Sequence, residues 1–236
     1  MRMVRAGTLL VCAAASLLGC AGSRLAPDPP AGLSLAGAWK LDRAASDDPQ
    51  RVLARMRAEA LRRMAQRVVA TGTPRGGTRG APTRTAQPED PALDGDPVPL
   101  PMGHGVPPDP LERSPMARAL LASIGRGDFL TVRQSSAELV LDYGNSQRRF
   151  TPGAHSVVSA ESGVADQSCG WQGREYVIEV RAQAGPDVTE RYALSGDGRH
   201  LVERLHIAPE ELSAVDLTRV YDPTDQTAPR QTPTND

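Results

Sequence analysis

The chain has 236 residues, 27 basic side chains against 28 acidic ones, and only 3% aromatic residues. So even a charge balance leaves no electrostatic footprint for nucleic acid, and the length allows one domain of ordinary size plus some unstructured chain. Three cysteines, at positions 12, 20 and 169, are too few and too scattered for a disulfide framework or a zinc site.

The first element is a signal. Arg2 and Arg5 supply a positive start, and residues 8–18 form an uncharged apolar core too short to cross a bilayer as a helix. The core runs unbroken into "ASLLGC", Ala15–Cys20, and its "LLGC" resembles the bacterial lipobox, where a dedicated peptidase cuts before a cysteine already carrying diacylglycerol. The resemblance makes residues 1–19 a lipoprotein signal peptide and Cys20 the lipid attachment site. An ordinary cut near Ala13–Ala15 would leave the apolar stretch up to Leu18 without a purpose. Two or three acyl chains, at about 0.8 kcal/mol per methylene, give effectively permanent membrane residence. Ala21 and Gly22 follow the cysteine, without the aspartate that resembling families use for retention in the inner membrane. The expected address is the outer membrane of a Gram-negative bacterium, periplasmic face, with the membrane as a partner through acylated Cys20. With Cys12 lost and Cys20 acylated, Cys169 stands alone, and with no histidine near it in sequence it reads as a small buried hydrophobe.

Residues 20–34 read as anchor and tether, and 35–42 as a first strand containing Trp39. An insertion then occupies 43–127. Asp47-Asp48-Pro49 is a helix start, and Leu53, Met56, Ala60, Met64 and Val68 recur at helical spacing, predicting an amphipathic helix over 48–70. Its other face carries Arg51, Arg55, Arg62, Arg63 and Arg67. That face suits either anionic lipid or plain solvent with the apolar face packed on the body. Residues 71–110 contain ten prolines and seven glycines, and such a stretch cannot bury enough surface to offset its ordering entropy, which predicts a disordered loop. A short helix, 115–124, follows between Ser114 and Gly125.

From residue 128 to 222 the period changes to two, and large aromatics, absent since Trp39, return in close order. Nine short strands are separated by "YGNS", "TPGA", "QG", "QAGPD" and "SGDG". Connections this short force sequential antiparallel pairing. The fold class is therefore mainly β: an antiparallel meander of about eight to ten strands, closed or nearly closed on itself so that few edges remain. Residues 223–236 read as a disordered tail.

Gly37-Ala38-Trp39, in "LAGAWKLDRAASD", looks like the G-x-W of lipocalins and related small calycin-type barrels. The whole run, with "SGDGRHL" and a terminal "VYD", resembles bacterial envelope proteins described as lipocalin-like. In that family the tryptophan closes one barrel end and an arginine from near the last strand stacks across it. The resemblance thus implies barrel-end packing by Gly37, Trp39 and Arg219. The 85-residue insertion departs from the family, although loop closure costs only about 0.6 kcal/mol per doubling of length.

Alternation places Leu139, Leu141, Tyr143, Tyr176, Ile178, Tyr192, Leu201, Leu205 and Tyr221 on inward faces, and with them three charged residues, Glu190, Glu203 and Arg219, on consecutive strands. Buried charges require partners. Two carboxylates flanking one guanidinium would form either a structural ion-pair cluster or the anchor for the head of a lipid-like small molecule. The four histidines show no metal spacing, and no G-x-S-x-G, phosphate loop or Ser/His/Asp order is present. The sequence therefore points to a membrane-anchored, non-catalytic envelope lipoprotein with no cofactor. Its barrel either binds a small apolar or amphipathic ligand or is filled, serving as a structural part or as a contact for an envelope protein partner. An open cavity lined by Tyr143, Tyr176 and Tyr192 would mark the first, and a solid core the second.

Overall fold

A computed structural model describes residues 25–71, 108–160 and 163–226. The signal peptide, Cys20, the bulk of the Pro/Gly-rich loop and the end of the tail lie outside the described residues. The elements run β1 (Gly37–Asp42), α1 (Pro49–Thr71), α2 (Pro115–Ile124), β2 (Phe129–Gln134), β3 (Leu139–Asp142), β4 (Gln147–Phe150), β5 (His155–Ala160), β6 (Gly163–Gln172), β7 (Glu175–Ala182), β8 (Val188–Leu194), β9 (Leu201–Ile207) and β10 (Val215–Pro223).

All ten strands form one antiparallel sheet in the order β4-β3-β2-β1-β10-β9-β8-β7-β6-β5. The turns enforce this locally. Gly173, with φ of 58°, joins β6 to β7, and Gly198, with φ of 73°, lets Ser195 and His200 pair at the β8–β9 turn. The sheet rolls up, because residues far apart in strand order meet: Tyr143, after β3, touches Tyr192 of β8, and Arg148 of β4 reaches Glu190 of β8. The result is a small lipocalin-like up-and-down barrel. Its end strands, β4 and β5, are not bonded to each other, leaving a seam.

Strand directions define two ends. β1 climbs to Asp42 and hands the chain to the helices, which return it to β2, so both helices sit at the end that also holds Ile207 and Val215. The Asp48 carboxylate accepts from the Gln50 amide at 2.9 Å and the Ser114 hydroxyl from the Ala117 amide at 3.1 Å, each followed by proline at the first helical position. α2 buries Met116, Ala117 and Leu120 completely against Leu205, Ile207, Val215 and Leu217. α1 packs on the same cluster through Val52, Leu53 and Met56. Its expected apolar stripe does not stay buried along its length: Met64 is 53% exposed. Beyond Ala60 the hold on the body becomes polar, with Arg63 donating to Glu211 O at 2.8 Å.

At the far end the chain makes its own floor. Leu33 and Leu35 are buried, and the Gln134 amide holds both, accepting from Leu35 N at 2.8 Å and donating to Leu33 O at 3.2 Å. Upstream, Ala26 exchanges two backbone hydrogen bonds with Trp171, 2.8 and 2.7 Å, extending the sheet edge beyond β5. Residues 25–34, read from sequence as tether, thus belong to the folded body, because their leucines have a pocket to fill and their backbone a strand to pair with.

Candidate functional site

The barrel interior is layered. Leu33, Leu35, Trp39, Phe150, Trp171 and Tyr176 fill its far half, and the helix-packed cluster fills the near half. Between them lies a sheet of buried charge.

Glu203 of β9 stands directly opposite Arg219 of β10 in the ladder, 3.7 Å away across their charged atoms. It accepts from the Tyr221 hydroxyl at 2.8 Å and the Tyr192 hydroxyl at 3.2 Å. Glu190 of β8 receives Arg126 through both guanidinium nitrogens, at 3.0 and 2.9 Å, Arg148 at 2.6 Å, and the Tyr192 hydroxyl at 2.8 Å. Arg126 also lies 3.6 Å from Glu203 and so links the two carboxylates. Tyr143 completes the set through Tyr192, at 3.0 Å. The forked Arg126–Glu190 contact is the strongest geometry available to such a pair. Three guanidiniums face two carboxylates, giving the layer one positive charge in excess.

Protonation follows from this arrangement. Burial alone would raise the Glu190 carboxyl, but Arg126 and Arg148 outweigh it and hold it well below the usual range. Burial and the neighbouring carboxylates push the hydroxyls of Tyr143, Tyr192 and Tyr221 up. None of these groups is poised to trade a proton near neutral pH, as a general acid or base must.

The structure brings Glu190, Glu203 and Arg219 into one network, with pairing that differs from two carboxylates on one guanidinium. Arg219 serves Glu203 and two backbone carbonyls, Gly127 at 2.6 Å and Ser123 at 3.4 Å, while Glu190 belongs to Arg126 and Arg148. Barrel-end packing of Arg219 on Trp39 is not observed. Register pairs Trp39 with Pro223 and Asp42 with Val220, so Arg219 lies beyond the end of β1, toward the helices, and its guanidinium covers the Tyr221 ring at 5.3 Å. Gly37 and Trp39 do belong together: the indole folds back over Gly37, where any Cβ would come within 3.3 Å of it, and its N–H bonds Leu35 O at 3.1 Å.

Sequence reasoning missed Arg148 and Arg126. The first was legible, because alternation puts it on the face of Phe150, and its guanidinium indeed lies 4.9 Å over that ring. The second sits in the Gly125–Gly127 connection, where no periodicity applies. His200 and His206 pair outside the barrel with Asp222 and Asp216. The Cys169 thiol is buried, donates to Thr151 O at 3.3 Å, and is pushed up by burial. Among the described residues no cluster of three metal-ligating side chains occurs.

Two openings reach the charged layer. One, of about 830 Å³, lies beneath the start of α1, walled by Leu41, Ile124, Phe129 and Leu217, and ends on Arg219; the Arg43–Asp128 ion pair, 2.6 Å, stands at its rim. The other, of about 280 Å³, lies between α2 and the strands flanking the seam and ends on Arg126, Arg148 and Glu190. Tyr143, Tyr176 and Tyr192 line neither.

No protein-family model matches the chain, and no curated protein does. Solved structures show a distant likeness. Apo lipid binding protein 8 of Caenorhabditis elegans is 11% identical, with a TM-score of 0.42 over 82% of this chain and 100% of that one. The REP1-NXSQ fatty acid transporter is 13% identical, with a TM-score of 0.39 over 81% and 97%. The brain fatty acid-binding protein of Drosophila melanogaster is 16% identical, with a TM-score of 0.32 over 40% and 70%. At these scores the likeness assigns neither ligand nor mechanism to this chain.

Proposed function

We propose that the protein is a lipid-anchored, non-catalytic envelope lipoprotein whose barrel is a solid body and whose binding capacity lies in the openings beneath the helices. The observation that carries this reading is the packing of the three tyrosines. An apolar ligand in the barrel centre would need them to wall a cavity, and they are instead buried and joined to the core or to the charged layer. A filled barrel holding a rigid charged layer fits a spacer or contact role better than a carrier that swallows its ligand. A role in binding a small amphipathic molecule keeps support from one feature: both openings have apolar walls and end on a guanidinium.

Support for a non-catalytic role comes from the charge states, since every titratable group of the layer with a displaced pKa is displaced away from neutrality. The anchor rests on "LLGC" and the apolar core before it.

The test is fractionation and native mass spectrometry of the protein as the host makes it. Wild type is expected in the outer membrane and Cys20→Ala in the soluble periplasm; retention of Cys20→Ala in membranes would remove the anchor. The mass expected is that of the acylated chain. A stoichiometric long-chain lipid in addition would replace the solid-barrel reading with that of a carrier.

A further inference from the structure

We infer that the opening between α2 and the seam is an anion site, built to seat the carboxylate or phosphate of a small ligand on Arg126 and Arg148. The argument starts from charge. Among the described residues three guanidiniums share two carboxylates, which leaves one positive charge in excess, and an uncompensated charge away from water is costly. Arg148 is where the excess surfaces. Among the described residues its guanidinium makes one hydrogen bond, to Glu190 at 2.6 Å, which uses one of five N–H donors, yet only 22% of its side chain is exposed. Arg126 is committed to Glu190 but forms the same floor.

The surroundings fit an anion carrying a short apolar part. Ala119, Ala122, Val158, Val180 and Val188 wall the opening, and Arg118, exposed and in no ion pair among the described residues, stands at its rim. The position has a structural cause. Among the described residues the sheet lacks a ladder at the seam, and there a layer at mid-barrel depth can be approached from the side without unpairing strands. At about 280 Å³ the space falls just below the usual span for drug-sized ligands, roughly 300–1,000 Å³, which limits the occupant to a small acid or to the head of a larger amphiphile whose tail stays outside. Larger species are refused by the fully buried Tyr192 behind Glu190.

The site does not depend on the anchor, so the test uses the full chain in a non-ionic detergent, with hexanoate, inorganic phosphate and hexylamine titrated separately in a calorimeter. Saturable one-to-one binding of hexanoate, with none of hexylamine, is expected. Phosphate binding as well would mean that the floor reads charge alone, and hexanoate without phosphate that the apolar walls select; both uphold the site. Binding of neither anion, or equal binding of hexylamine, overturns it. Arg148→Gln is expected to weaken hexanoate about tenfold or more, the loss of a charge-assisted hydrogen-bond donor. That variant leaves two guanidiniums to two carboxylates and should fold. Arg118→Glu, which touches no member of the network, is the independent control and should weaken hexanoate several-fold with an unchanged melting temperature. Unaltered affinity in both variants would overturn the assignment.

Discussion

Arg148, on the end strand of the sheet, crosses the barrel to place its guanidinium 2.6 Å from Glu190 on β8, six strands away in the ladder. The contact ties one side of an open seam to the interior and sits in a layer with more guanidiniums than carboxylates.

That imbalance makes the two ends of the contact unequal. Glu190→Gln removes one of two negative charges and strands Arg126 and Arg148, so a loss of about 3–5 kcal/mol is expected. Arg148→Gln restores charge parity and should cost far less, within about 1 kcal/mol. Urea unfolding of both variants checks the order; equal losses would mean that the layer is held by hydrogen bonds and not by charge.

The acid limb follows from the same residue. Glu190 ionises in the folded protein well below its ordinary value of about 4.5. As pH falls, the unfolded chain takes up that proton first, so the stability contributed by Glu190 is complete above about 4.5 and is lost as pH drops toward the folded value. Wild type should weaken steadily below that pH, and Glu190→Gln, less stable overall, should show a shallower acid limb in thermal melts.

The alkaline limb has the opposite sign. Tyr192 and Tyr221 ionise in the folded protein above their ordinary value of 10.0, so their contribution is complete below that pH and is lost as pH rises past it. Tyr192→Phe should flatten the loss of stability above pH 10 in denaturant titrations; an unchanged slope would place the alkaline sensitivity elsewhere.

At the far end, a Cβ on Gly170 would fall 2.7 Å from Ala26 O and 2.9 Å from Leu25 Cβ. Gly170→Ala should therefore unseat residues 25–27 while leaving β6 paired with β7. Hydrogen exchange is the readout: the Ala26 amide should lose protection and the Ile178 amide should keep it.

Trp39→Ala empties a site 7% exposed in the far-half core, and a loss of about 3–5 kcal/mol is expected. An unchanged melting temperature would take the indole out of the load of that core.

Much of this architecture is legible in residue order. α2 runs from Pro115 to Ile124 as its cap and closing glycine foretell, and "QG" and "SGDG" fall at the β6–β7 and β8–β9 turns. Local signals suffice there because turn chemistry and period are local. The seam is not legible, because whether the ends of a rolled sheet meet depends on the summed curl of all ten strands. The site divides in the same way. Glu190, Glu203 and Arg219 betray themselves as charges on apolar faces, whereas Arg126 is recruited from a loop by a helix end whose position only the packed cap defines. Arg219 was drawn to Trp39 by family likeness, and a few residues of register along β10, at about 3.3 Å each, separate them.

The backbone bridge between Ala26 and Trp171 also sets an orientation. With Cys20 acylated as proposed, only five residues lie between the lipid and that bridge, a reach of about 20 Å at full extension. From the bridge, β6 runs back toward the helices for eight residues, about 26 Å. The molecule would then stand on its floor like a short post, the two openings held on the side away from the bilayer. A ligand would arrive from the aqueous space and not out of the membrane that carries the protein.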